Sequence, residues 1–101
     1  MNYLTELAKA IRLQVDSRFV PEGDTDSLFR LYALLALAKG TAVTAEDVHN
    51  AWAAWMSDRD PTHTAILPYD ALRPDLRRED RPFVEAIREI SASLDRRDSP
   101  H

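Results

Sequence analysis

DSLFRLYALLALAKG, residues 26–40, carries apolar side chains at Leu28, Phe29, Leu31, Tyr32, Leu34, Leu35 and Leu37. Wound as a helix, it presents them on nearly every side, so it needs neighbours all round: the centre of a helical bundle, or a place under another subunit. Gly40 follows Lys39 at the position where a left-handed residue ends a helix, which sets the far boundary.

Working outward, Leu4, Leu7, Ala8, Ile11 and Val15 recur at helical spacing and predict a first helix over Tyr3–Arg18, buried along one stripe. Pro21 and Gly23 break it, and Asp24 or Thr25 can cap the helix that follows. Downstream, Thr44 with Glu46 and Asp47 opens a third helix over Ala45–Ser57, bearing Val48, Trp52, Trp55 and Met56. Thr62–Glu79 reads as an ordered irregular segment, with a short extended piece at Ala65–Leu67 and a helical turn beginning at Pro74. A last helix, capped by Asp80, runs from Arg81 to Leu94 with Phe83, Val84, Ile87, Ile90 and Leu94 on its core face. The expectation is one all-α domain over residues 1–94, a bundle of four main helices with a long loop between the third and fourth, and a flexible tail over 95–101.

Composition agrees. Apolar residues make up 45% of the 101 positions, enough for a single core, and they are mostly Leu and Ala rather than β-branched. A net charge of −4 opposes general DNA or RNA binding, which needs a basic face. The acidic excess lies before Arg73; from there to His101 seven basic residues balance seven acidic ones. No cysteine is present, so neither disulfides nor zinc–thiolate chemistry is available, and a reducing, cytoplasmic setting fits. The longest strongly apolar run, Leu31–Ala38, is too short to span a membrane, and the charges at Glu6, Lys9 and Arg12 oppose a signal peptide.

Complete catalytic motifs are absent, so an enzyme is not expected. His49 could carry a proton, yet no nucleophile or oriented partner accompanies it. Asp58, Asp60 and His63 have metal-ligand chemistry, but turn hydrogen bonds are the commoner use of such a cluster, and no metal or other cofactor is expected. Trp52, Trp55 and Tyr69 with Arg59, Arg78 and Arg81 could form a pocket in which an aromatic ring stacks on a base and a guanidinium holds phosphate. The plainer alternative keeps the tryptophans in the core and the arginines in ion pairs.

Val48-His49-Asn50-Ala51-Trp52, Thr62-His63, Leu67-Pro68-Tyr69 with Leu72, and Asp80-Arg81 with Val84 and Ile87 together resemble the ryanodine-receptor-type repeat domain. The resemblance covers residues 48–90, and the chain as a whole is similar to small proteins carried by actinobacterial phages. It lacks the Gly-Trp-x-Tyr-Gly type segment that the family places before the histidine. The resemblance implies helices with an intervening loop and short strand pieces, a nucleotide-type ligand, and Trp52, His63, Tyr69 and Arg81 as framework or ligand-facing residues. With Arg59 added, these are the candidate ligand-binding residues of a non-enzymatic module for a small anionic or nucleotide-like molecule. A protein-interaction module with a host or phage partner is the alternative. Residues 26–40 and the paired repeats of the channel family both lead to the expectation of a symmetric homodimer.

Overall fold

Residues 26–39 lie where their apolar faces require, with other helices on three sides. The computed structural model describes residues 3–98. Its helices are α1 (Tyr3–Gln14), α2 (Asp26–Lys39), α3 (Ala45–Arg59), α4 (Pro74–Arg78) and α5 (Arg81–Asp98), with 3-10 turns at Ser17–Phe19, Gly40–Ala42 and Tyr69–Ala71. α2 packs against α1, α3 and α5, and α1 and α3 each also meet α5. The domain is an all-α bundle of four main helices, as the periodicity predicts.

The core is drawn from the stripe of each helix. Leu7, Ala8, Ile11 and Val15 face Leu28, Phe29, Tyr32, Ala33 and Ala36, closed over by Val48 and Trp55 from α3 and by Phe83, Val84, Ala86 and Ile87 from α5. At its centre Phe29, Tyr32 and Phe83 form an aromatic cluster, with ring centroids 5.5 Å apart for Phe29–Tyr32 and 5.3 Å for Tyr32–Phe83. Coverage of α2 is incomplete: Leu34 and Leu37 stay 50% and 52% exposed.

Several boundaries differ from expectation, each for a local reason. α1 ends at Gln14 rather than Arg18, because Asp16 accepts a hydrogen bond from the Arg18 amide at 3.0 Å and starts a separate 3-10 turn. α2 starts where expected, but Thr25 contributes no side-chain cap; Asp24 Oδ1 accepts from the Asp26 amide instead. Gly40 takes the positive φ expected of it, 57°, but with ψ −130° rather than the left-handed helical value. Thr44 and Asp47 form a full capping box, reinforced by Lys39 Nζ donating to Asp47 Oδ1 at 2.8 Å, and that bond holds the Asp47 carboxyl below its ordinary range. α3 continues to Arg59, since only Pro61 enforces a stop.

The extended piece at Ala65–Leu67 does not form, and no strand occurs among the described residues. Successive turns replace it: the amides of His63, Ile66 and Leu67 donate to the carbonyls of Asp60, His63 and Ala65. These local bonds satisfy backbone that has no partner strand. The helical turn at Pro74 forms as α4. α5 runs on past Leu94 to Asp98, as residues tolerant of helix continue until Pro100; the rest of the expected tail, from Ser99, lies outside the described residues.

Candidate functional site

Where the connections between helices converge, they enclose a cavity of about 690 Å³. Its wall comes from α3 through His49 and Trp52, one helical turn apart, and from the following loop through His63 and Ala65. Tyr32 of α2 and Asp80, Pro82 and Phe83 at the start of α5 line it as well. Arg18 and Arg73 supply guanidinium groups from two separate connections and Arg78 from the end of α4, and all three residues are exposed. Aromatic rings thus share the wall with charged side chains of both signs, the carboxylates of Asp75, Glu79 and Asp80 beside the three arginines.

His49 organises one side. Only 3% exposed, it holds its Nε2 2.6 Å from the Leu67 carbonyl oxygen, which can only accept, so the Nε2 proton is fixed there. This one bond ties α3 to the loop. The His49 ring lies 5.8 Å from Trp52 in a stacked arrangement and 6.1 Å from Tyr69, while His63 meets Trp52 edge-on at 5.2 Å. His63 Nδ1 accepts from the Ala65 amide at 3.0 Å, fixing its imidazole within the turn.

Asp80 has a different situation. Its backbone carbonyl accepts from the Phe83 and Val84 amides at 3.1 Å, so the residue begins α5 as expected. The carboxylate, however, does not cap the helix: Oδ2 is enclosed and has no hydrogen-bond partner. Burial pushes the Asp80 carboxyl up to about 6, the imidazole of His49 pulls it back, and Glu79 adds a smaller upward push. Burial, and then the Asp80 carboxylate, push the Tyr32 phenol well above its ordinary range.

Trp52 and His63 are thus brought together in the cavity wall. Tyr69 stands behind it, with Arg77 5.2 Å over its ring and Arg77 Nη2 donating to the Asp70 carbonyl at 2.7 Å, which makes Tyr69 a support of the loop. Arg59 lies elsewhere: it stacks 4.2 Å over Trp55 and its Nη2 donates to the Asp24 carbonyl at 2.6 Å, clasping α3 to the connection before α2. Arg81 also sits outside the cavity, exposed and 3.6 Å from Glu85 one helical turn on. Trp55 is core, 6% exposed, with its indole N–H donating to Ser27 Oγ at 3.0 Å, so it offers no aromatic surface to a partner.

No cluster of three metal-ligating side chains occurs among the described residues. Asp60 accepts from the amide and hydroxyl of Thr62. Asp80, Tyr32, Phe83, Arg18 and Arg73 were not among the candidates the sequence offers. Asp80 reads there as a helix cap, and Tyr32 and Phe83 as core. Of the three cavity arginines, only Arg78 is among the pocket candidates that the sequence offers.

No curated protein and no solved structure matches the chain significantly. A family model described as a domain of unknown function (DUF7701) matches residues 2–92, which takes in the bundle and every residue of the cavity. The chain belongs to the DUF7701 domain family.

Proposed function

We propose that this domain is a non-enzymatic binding module for a small anionic ligand that carries a flat ring, a nucleotide-like molecule being the best fit. The observation that carries the reading is one cavity with aromatic groups on its wall, Trp52, His63 and Phe83, and guanidinium groups of Arg18, Arg73 and Arg78 at its exposed edge. Aromatic side chains stack on a ring, and guanidinium groups match phosphate geometry. A volume of about 690 Å³ accommodates a molecule of nucleotide size. The partial likeness of residues 48–90 to ryanodine-receptor-type repeats leads to the same ligand class. In a cytoplasmic, phage-related setting such a module would sense or sequester a host signalling nucleotide.

A thermal-shift screen against mononucleotides and cyclic nucleotides tests the reading. A ligand at one hundred times its dissociation constant adds about 2.7 kcal/mol, a readily visible rise in melting temperature for a domain of this size. Replacing Arg73 and Arg78 together with alanine should reduce that rise. No stabilisation by any nucleotide at millimolar concentration contradicts the proposal and favours the second reading, a protein-interaction module. The half-exposed Leu34 and Leu37, one turn apart on α2, support that alternative.

A further inference from the structure

A second cavity of about 690 Å³ adjoins the first. The two have Phe19, Arg78 and Pro82 in common, so these residues form a ridge between them. Phe19 is 44% exposed and Arg78 is exposed as well, which lets a ligand in one cavity pass over the ridge into the other. Arg78 is the single arginine that lines both. The arginines around it have carboxylate neighbours: Arg18 has Asp16, Arg73 has Asp75 and Arg81 has Glu85, at 3.5, 3.6 and 3.6 Å. Arg78 has no carboxylate partner among the described residues, so the ridge carries an unneutralised positive charge.

The far cavity differs in chemistry. Its floor is apolar through Val15 and Ala86, and Phe19 on the ridge is its one aromatic ring. Carboxylates come from two walls, Asp16 on the connection after α1 and Glu85 and Glu89 one turn apart on α5. Those of Asp16 and Glu85 are open to a ligand, with side chains 55% and 71% exposed. They repel a terminal phosphate and accept hydrogen bonds from hydroxyl groups.

Resting on the reading of the first cavity as a nucleotide-type site, we propose that the ligand spans both cavities: a base against Trp52 and His63, a bridging diphosphate at Arg78, and a sugar in the far cavity. Such a nucleoside diphosphate sugar carries its negative charge in the middle, where Arg78 stands, and ends in neutral hydroxyl donors. A free nucleoside diphosphate ends in its charge and leaves the far cavity unfilled.

Isothermal titration with ADP against ADP-ribose, and with UDP against UDP-glucose, compares a purine and a pyrimidine pair. In a pair that binds, the sugar-bearing member should bind at least about tenfold tighter, the gain expected of one hydrogen bond to a charged acceptor. Arg78→Ala should weaken both members of that pair and leave the parent nucleoside unaffected. In proton–nitrogen spectra both members should shift the Trp52 indole, and only the sugar-bearing one the Val15 and Ala86 amides. Equal affinities within the pair, or shifts at Trp52 that never extend to Val15 and Ala86, overturn the span across the ridge but leave the nucleotide reading in place. Binding of none of the four compounds at millimolar concentration overturns both.

Discussion

Asp80 has an enclosed carboxylate oxygen without a partner, and the same burial displaces its carboxyl from 3.8 to about 6. Between those values the folded domain holds more protons than the unfolded chain, so the linkage sign is negative and stability falls as pH rises through that window. The cost is fully present above about pH 6 and absent below about pH 4. His49, His63, Tyr32, Glu79, Asp75 and the arginines at 18, 73 and 78 are the other titratable or charged groups around the cavity. Asp80→Asn removes the carboxylate, and after allowance for partial solvation it should stabilise the domain by about 1 kcal/mol at pH 7.5, with the gap closing near pH 4. Denaturant unfolding at the two pH values measures this, and a loss of stability at pH 7.5 would show that Asp80 has a structural partner. His49 makes the opposite prediction. His49→Ala removes a buried ring and leaves the Leu67 carbonyl without its donor, so it should cost about 2–3 kcal/mol and speed amide exchange across residues 63–72. Unchanged exchange in that loop would mean that other bonds hold it.

At the scale of the elements, what the sequence made legible was what periodicity and caps encode. Leu28–Ala36 declared a central helix through its apolar sides, Gly40 its end, and the Thr44–Asp47 pair the start of α3. Thr44→Ala should therefore cost about 1 kcal/mol, read as a lower midpoint in urea with an unchanged slope. The turns over 60–72 were illegible because their hydrogen bonds are local and leave no period. His49 was visible as an imidazole but not as the anchor of the loop, because its partner is a backbone carbonyl. The same reason hid Arg88, whose Nε and Nη2 both donate to the Val43 carbonyl and dock α5 onto the turn after α2. On α5, Ser91 is buried with a hydroxyl that bonds to nothing, so Ser91→Ala should raise stability by about 1 kcal/mol through removal of an unsatisfied group and a gain in helix propensity. A drop in melting temperature for this variant would show that the hydroxyl is satisfied in solution.

For the whole molecule, two surfaces compete to explain what the domain does. One is the face of α2 that carries Leu34 and Leu37, near the place the sequence assigned to a symmetric homodimer. If that pairing forms, light scattering at high micromolar concentration should give twice the 11.5 kDa chain mass, and Leu34→Glu should return it to one. The other is the cavity, which gathers residues from α2, α3, α4, α5 and three connections into one site. Candidates chosen from the sequence fell on both sides of that boundary: Trp52 and His63 in the wall, Tyr69 behind it, and Arg59 and Arg81 on other surfaces, because proximity across connections has no signature in spacing. The two tryptophans separate these possibilities directly. Trp52 lines the cavity, whereas Trp55 is core and bonded to Ser27. In a proton–nitrogen correlation spectrum titrated with ADP, the Trp52 indole and the Asp80 amide should shift in proportion to occupancy while the Trp55 indole stays in place. Shifts that spare Trp52 and map instead to Leu34 and Leu37, or no shifts at millimolar nucleotide, would contradict a nucleotide-type site in this cavity.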